Sequence, residues 1–425
     1  MAMSQARKQF DADVLIGGGG LVGQTLALAL DSAGVSVIVI DAAKPAETLA
    51  PHFDGRAFAI AFASYRMWRA LGLGEALDAA AQPITQIMVT DGRLGNGGRR
   101  GGPSPLHLYF DAAELPGGGD EPLGLMLENR HIRLALDCAV RARAAIKLIA
   151  PMAITALERD AAGIDATLAD GRRLRARLLV GADGRRSFVR PWCGIRTIGW
   201  DYPVTAIVAT IAHEKPHGGV AHEYFLPAGP FAILPLTGNR ANVVWAEPRA
   251  AAEALLAMPK ADFLAELKRR FGDFLGVLDL EGPRFGYPLS LQLAERMIDA
   301  RVALAGDAAH AIHPLAGQGL NLGLKDCAAL AECIADAMSL GLDAGDVSAL
   351  ERYQRWRRFD NVSMALGMEA FDKLFSNDIA PLRAARSLGL AMVNAIGPAR
   401  RLFMRYAGGA AGDLPKLLRG ESLAA

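Results

Sequence analysis

The chain has 425 residues, 52% of them apolar and 21% charged, with a formal net charge of +1. This suits a soluble globular protein of about two or three structural units and excludes the basic stripe of a nucleic-acid binder. No uninterrupted apolar run of about 18 residues offers a spanning helix.

The first complete unit is Asp13 to Asp41, DVLIGGGGLVGQTLALALDSAGVSVIVID, which reads as strand, glycine turn, helix, strand. Gly18, Gly20 and Gly23 satisfy G-x-G-x-x-G directly after the apolar run Val14–Ile16. The helix is expected from about Leu21 to near Gly34, and a second strand, Val35 to Ile40, ends on Asp41. An acid roughly 20 residues beyond the second glycine is placed to bind a ribose hydroxyl. The glycines permit a tight turn and close approach of a pyrophosphate, whose charge the helix N-terminus stabilises. This pattern serves FAD and NAD alike. Ahead of it, Met1 to Phe10 has no apolar signal region, so a cytoplasmic protein is expected.

Arg56 follows in Asp54-Gly55-Arg56, then a helix over Tyr65–Leu71. Ile84 to Thr90 alternates as a strand and begins a second sheet, and Leu94 to Pro105 is a glycine-rich loop without chemistry. In Leu123 to Val140, the spacing of Ile132, Leu134, Leu136 and Val140 predicts a packed helix. Met152 to Ala169 gives a pair of strands. Leu178 to Arg190, LLVGADGRRSFVR, is an apolar strand ending on Asp183-Gly184, which alone reads as an ordinary turn.

From Trp192 to about Arg284 the strands Val204–Ile211, Phe231–Leu236 and Ala241–Trp245 alternate with two short helices, Ala251–Met258 and Phe263–Phe271. An antiparallel sheet inserted into a nucleotide-binding fold is the economical reading. Phe225, Tyr224, Phe231 and Trp245 are the aromatics available to line its cavity, though such residues mostly serve the core.

Arg301 to Leu324, RVALAGDAAHAIHPLAGQGLNLGL, carries the densest signal. A strand over Val302–Ala305 stops at Gly306, and Asp307 is placed to accept hydrogen bonds from a polyol. Gly317-Gln318-Gly319 lets the main chain approach a flat ring, and the helix from about Leu320 offers N–H groups and a positive dipole end. Polyol, flat ring and a place that collects negative charge describe the ribityl chain and pyrimidine edge of a flavin. His310 and His313 lie three apart with no acid or cysteine grouped beside them, so no metal site is expected and His310 is assigned to packing or hydrogen bonding. Cys138, Cys193, Cys327 and Cys333 lack CxxC or zinc spacing, as reduced core thiols do. From Ser348 the chain reads as helical. Leu388 to Tyr406 mixes large apolar residues with Arg386, Arg400, Arg401 and Arg405. Two placements suit it, a helix docked on the core or a face on a membrane surface.

Gly306 to Leu324 resembles the second FAD-binding motif of the aromatic-ring flavoprotein monooxygenases, and its fuller form GDAAHxIHPxAGQGLNLGL resembles their ubiquinone-biosynthesis hydroxylase branch. Gly18–Asp41, Asp183–Arg190 with Ser187, and Leu374–Asp378 match other elements of that family in order. The resemblance implies an α/β (α+β) chain: a Rossmann-like FAD-binding domain, an inserted mainly antiparallel β-sheet substrate domain and a C-terminal helical region. The implied division is 11–82, 128–192 and 285–345 for FAD, 83–127 and 193–284 for substrate, and 346–425 for the helical region.

It also implies roles. Gly18, Gly20, Gly23, Asp41, Arg56, Asn129, Asp183, Gly306, Asp307, Gly317, Gln318, Gly319, Leu320 and Asn321 would hold FAD, with the Asp183 motif serving the nicotinamide donor as well. Pro314 would stiffen the loop beside the ring, and Gly319, Leu320 and Asn321 would stabilise charge on the reduced flavin. The implied reaction is hydroxylation of a polyprenylated phenol by O2 through a flavin C4a-hydroperoxide, with NAD(P)H or another external donor as reductant. Peripheral contact with the inner face of a membrane and association with other ubiquinone-biosynthesis proteins would accompany it. An FAD-dependent oxidoreductase of the same fold acting without ring hydroxylation is the alternative, and a non-enzymatic flavin-binding subunit a third reading.

Overall fold

A computed structural model of the chain describes residues 10–50, 55–92, 102–104, 107–115, 121–312, 317–375, 388–389, 392–409 and 412–423. Asp54, His313, Pro314, Arg386, Ser376–Asp378 and most of the Leu94–Pro105 stretch lie outside the described residues.

In chain order the elements begin with β1 (Ala12–Gly17), α1 (Leu21–Asp31), β2 (Val37–Ile40), α2 (Pro45–Thr48), β3 (Ala57–Ala61), α3 (Phe62–Ala70) and α4 (Gly74–Asp78). They continue with β4 (Gln82–Ile84), β5 (Gln86–Asp91), β6 (His107–Asp111), β7 (Gly124–Glu128), α5 (Asn129–Arg141) and β8 (Ile146–Ile149). Next come β9 (Ile154–Arg159), β10 (Ile164–Leu168), β11 (Arg173–Gly181), α6 (Val189–Trp192) and β12 (Thr197–His213). After β13 (Val220–Leu226), β14 (Gly229–Leu236) and β15 (Arg240–Pro248) come α7 (Arg249–Ala257), α8 (Lys260–Phe271) and β16 (Leu278–Ala294). The chain then gives β17 (Ile298–Asp299), β18 (Val302–Leu304), β19 (His310–Ala311), α9 (Gln318–Ser339), α10 (Val347–Phe375) and α11 (Gly397–Ala407).

The first sheet has a parallel core, β18-β11-β1-β2-β8. Its strands read VLI, VIVI, LLV and VAL, continuous apolar runs rather than alternations, because layers on both faces exclude water. The expected strand pair in Met152–Ala169 is present as β9 and β10, antiparallel and joined to β11.

The second sheet runs β19-β16-β12-β15-β14-β13-β5-β6. It is antiparallel except where β5 pairs with β13 in parallel. Tyr224, Phe231 and Trp245 point to one face and pack with Phe263 and Phe271 of α8, with Phe231 and Trp245 rings 5.9 Å apart, edge on. These three aromatics are therefore core. Phe225 points to the opposite face and clusters with Leu291, Ile312 and Leu322, so that face looks toward the strand and helix of the Arg301–Leu324 segment. Arg240 and Asn242, on this same face of β15, reach Glu128 and the Gly55 carbonyl.

Three sequence expectations change. The run Ile84–Thr90 is divided: β4 joins a small sheet with β3 and β7, and β5 alone enters the second sheet. Thr85 makes the crossing, held by the Gly219 carbonyl. In α5, Ile132, Leu136 and Val140 are buried, but Leu134 is 55% exposed, because only every third or fourth residue faces inward. Strand β13, with His222 and Glu223 interrupting its apolar pattern, was not expected from the sequence.

Candidate functional site

The glycine turn after β1 leads directly into α1. Gly18 is left-handed at φ +106°, and a side chain there would meet the Ala182 carbonyl at 2.3 Å. Gly23 sits so close to the turn that a Cβ would lie 1.9 Å from the Gly18 carbonyl oxygen. Gly20 differs, since its backbone is extended (φ −73°) and a Cβ there would meet nothing within 4 Å. The turn is thus tight at Gly18 and Gly23 and open at Gly20, on the side of the helix N-terminus. Asp41, at the end of β2, accepts from the Gly19 N–H at 3.0 Å and the Ala43 N–H at 2.9 Å. A shallow depression, open to solvent, lies beside it between Gly19, Pro45, Thr48, Arg133 and Leu148.

These glycines separate in a test. Gly20→Ala should keep or slightly raise the apoprotein's stability, by about 0.4–1 kcal/mol from the unfolded chain, while weakening FAD. Gly23→Ala should cost on the order of 1–3 kcal/mol through overpacking. Thermal melts with and without FAD read both, and equal behaviour of the two variants would contradict the geometry.

Beyond β18 the chain turns at Gly306, φ +61°, and Asp307 emerges exposed between buried Gly306 and Ala308. Among the described residues its carboxylate has no partner. Val22 of α1 packs against both Gly306 and Gly323, where added Cβ atoms would lie 3.0 and 2.8 Å away. This contact packs the start of α1, just after the first glycine turn, against the Asp307 turn and the first turns of α9.

Beneath the turn lies a buried charge network. Asp326 of α9, with no exposed surface, accepts from the Gly306 N–H at 3.0 Å and contacts His310 Nε2 at 2.5 Å. Its other oxygen accepts from Arg357 Nε at 2.9 Å and Asn361 Nδ2 at 3.4 Å, both on α10. Burial pushes the Asp326 carboxyl up, but the His310 and Arg357 contacts outweigh it and hold it below the usual range. His310 is therefore a hydrogen-bonding residue, as its place in the motif implies.

Helix α9 starts at Gln318 after Gly317, whose φ of +64° makes it the left-handed cap. Its first turn, through Gly319 and Leu320, directs backbone N–H groups out of the helix end. A Cβ on Gly319 would meet nothing within 4 Å. Asn321 has a different place from the one expected. It is buried, its Oδ1 accepts from the Ala61 N–H at 2.8 Å and its Nδ2 donates to the Ala59 and Gly317 carbonyls at 2.8 and 3.3 Å. With helix geometry directing its own N–H back to the cap, Asn321 clamps α9 to β3, and the helix-end donors belong to the residues before it.

Asp183 follows β11, and its Oδ2 accepts from the Phe188 and Val189 N–H groups at 2.7 and 3.1 Å. One carboxylate oxygen thus holds its own turn, while Oδ1 is buried without a partner among the described residues. Arg190 donates to the Ala308 carbonyl at 2.9 Å, tying this motif to the Asp307 turn. Arg56 lies between the rings of Phe58 and Tyr287, 5.5 and 5.6 Å from their centroids, and its carbonyl accepts from the Asn129 N–H at the start of α5. Phe285 of β16 fills the space above Gly55.

The residues present fit a dinucleotide with a polyol and a flat ring. Gly20 and Gly319 leave open space at two helix N-termini, and Asp307 offers an uncommitted carboxylate between them. Two features had no sequence signal: the Asp326 network, whose members come from three elements, and Glu223, a carboxyl of β13 without a polar partner among the described residues.

A family model described as an FAD binding domain matches residues 11–361. The ubiquinone hydroxylase UbiL of Rhodospirillum rubrum is 51% identical over 417 residues, covering 97% of this chain and 94% of that protein. The 3-demethoxyubiquinol 3-hydroxylase of Escherichia coli is 36% identical over 398 residues, covering 93% and 98%. Among solved structures, the probable FAD-dependent monooxygenase PqsL from Pseudomonas aeruginosa superposes with a TM-score of 0.74 at 26% identity, covering 89% of this chain and 99% of that one.

Proposed function

The chain belongs to the FAD-binding family of flavoprotein monooxygenases, and on that premise we propose that it hydroxylates the aromatic ring of a polyprenylated phenol in ubiquinone biosynthesis. The observation that carries the reading is the Val22 contact, which packs α1, one residue into the helix after the open Gly20 turn, against both the Gly306 turn before Asp307 and Gly323 of α9. The relatives, whose names are those of ubiquinone hydroxylases, supply the substrate class.

FAD, when bound and reduced by an external donor such as NAD(P)H, supplies oxygen activation and transfer of one oxygen atom from O2. The protein supplies position, charge and dryness. Gly18, Gly20 and the α1 N-terminus would hold the pyrophosphate, and Asp41 the adenosine ribose. Asp307 would accept from the ribityl hydroxyls. Arg56, Asn129 and the Asp183 turn would close the cofactor's flanks. The first turn of α9, at Gly317, Gln318, Gly319 and Leu320, would place N–H groups and a helix dipole where a reduced isoalloxazine collects negative charge. Pro314 is assigned to the loop beside the ring. A quinone-intermediate profile of cells lacking the protein tests the reaction: an under-hydroxylated prenylphenol should accumulate, and an unchanged profile would refute it.

The reading includes a membrane surface and, beside it, other ubiquinone-biosynthesis proteins, as sites from which a tailed substrate arrives. No helix among the described residues is long and apolar enough to cross a membrane. The C-terminal segment is docked: Asn394 accepts from the Tyr109 N–H at 2.9 Å, Arg400 donates to Glu114 at 2.9 Å, and Met404 is buried. Its other side leaves Leu388, Met392, Ile396 and Phe403 exposed, as α10 leaves Phe359 and Leu366. Arg355, Arg358, Arg401 and Arg405 are exposed as well. Each arginine near an anionic surface contributes about 1 kcal/mol. Sedimentation with anionic vesicles at low salt should bring the protein down, with release at high salt and no binding to neutral vesicles. Recovery in the supernatant under every condition would remove the membrane from the account.

A further inference from the structure

We propose that Glu223 grips the ring hydroxyl of the phenol substrate, accepting its hydrogen bond and, during turnover, its proton. This rests on the hydroxylase reading above and adds the residue that would face the reacting ring.

Glu223 sits in the middle of β13, on the sheet face shared with Ala221 and Phe225. Phe225 clusters with Ile312 and Leu322, next to the flavin segment. The register builds a row across that face: Leu108, Val89, Glu223, Ala232, Val244, Val208 and Phe285. Every member except Glu223 is apolar. Phe285, at one end, touches Gly55, next to Arg56, so the row ends beside the segment assigned to the cofactor. Glu223 has no hydrogen bond or ion pair among the described residues, and the residue is neither fully buried nor fully exposed. A partly exposed carboxyl without a partner on an apolar sheet face is open to a ligand.

Burial alone pushes this carboxyl up to about 8, with no neighbouring charge offsetting it. On the same face the ionisable groups are Asp91 of β5, registered with Phe225, and Arg240 of β15, ion-paired with Glu128 and Glu281. From opposing elements come Arg56, near two rings, and Glu369 of α10, which accepts from the Tyr202 hydroxyl at 2.6 Å. None lies in the Glu223 row. An isolated carboxyl among valines destabilises a fold, and such a cost persists where a ligand makes use of it.

The chemistry balances. The phenol O–H bond breaks, its proton moves to Oε of Glu223, and the electron pair stays on the phenolate oxygen, enriching the ortho and para carbons. One of these carbons would take up the oxygen atom that FAD, reduced by its external donor, supplies from O2, the second oxygen atom leaving as water. The ring carbon then releases its hydrogen as a proton to solvent, restoring aromaticity, and Glu223 returns its proton to the original oxygen.

The test uses FAD-loaded protein, 2-geranylphenol and its methyl ether, which cannot donate. Titration calorimetry without oxygen should show wild type preferring the phenol by roughly 10–100-fold at pH 9. That preference should shrink as pH falls through about 8, where Glu223 becomes protonated. Glu223→Leu should bind both compounds equally at every pH, and Glu223→Gln should keep a smaller, pH-independent preference. Both variants should melt at or above the wild-type temperature, because an unpaired buried carboxyl has been removed. In turnover, Glu223→Leu should lower kcat by roughly 10²–10⁴-fold. A wild type without phenol preference, or a Glu223→Leu variant that keeps both preference and kcat, overturns the assignment while leaving hydroxylation standing. If wild type shows the pH-gated preference but makes no hydroxylated product, the reaction falls and the binding site stands.

Discussion

Asp307→Ala should purify folded but largely without flavin. Its carboxylate is exposed at the end of β18, with no partner among the described residues, so truncation removes no contact that holds the fold. What it removes is a charge-assisted acceptor for a polyol, worth roughly 1.5–3 kcal/mol, or about a 10–150-fold weaker FAD affinity. Asp307→Asn, which retains one acceptor oxygen, should fall between. Fluorescence titration of the apoprotein with FAD measures the loss directly, and melting curves of the apo forms should coincide. If Asp307→Ala binds FAD as tightly as wild type, the ribityl assignment is wrong and the motif's acid has another purpose.

The second large effect concerns the charge network under that turn. Asp326→Ala should destabilise the protein by about 3 kcal/mol, because the Arg357 Nε–H and the Gly306 N–H would remain buried without their acceptor, while Arg357 keeps Asp360 as its ion-pair partner. A wholesale apolar replacement, Asp326→Leu with His310→Leu and Arg357→Leu, should recover part of the loss, since no charge is then left unpaired. Denaturant midpoints at constant slope report both. The acid limb follows from the direction of the shift. Asp326 is held below its unfolded value, so its contribution is fully present above the ordinary carboxylate range and is lost as pH falls through the folded value. Stability of the Asp326→Ala variant should therefore be flatter on the acid side. An Asp326→Ala protein as stable as wild type would mean that the network is dispensable.

The parts of this architecture that announce themselves in the sequence are those where local chemistry decides. Gly18, Gly23 and Gly306 are legible because left-handed or crowded backbone admits no other residue, and the continuous strands VLI and VIVI because both their faces are covered. Asp307 is legible as a lone carboxylate after a buried strand. What the sequence hides is side-chain pairing over distance. Asp326, Arg357 and Asn361 read singly as polar positions on amphipathic helices, and only the packing of α9 on α10 makes them one buried group. Asn321 was expected at the helix opening, but α9 starts at Gln318, so its amide clamps β3 instead. Glu223 was invisible because alternation in β13 tells that neighbours point to opposite faces, not which face the helices will cover. The division at Thr85 has the same origin: one alternating run serves two sheets, and only the pairing partners show where it parts.

The FAD-loaded protein should transfer oxygen to a phenol ring. Incubation with NADH or a photochemically reduced deazaflavin as donor, 2-geranylphenol and ¹⁸O2, followed by mass spectrometry of the extracted ring, tests it most directly. Wild type should form a hydroxylated product carrying one ¹⁸O atom, and Asp307→Ala should lose it in step with its flavin content. Flavin reduced and reoxidised through many cycles with only peroxide formed and the phenol recovered unchanged would contradict it.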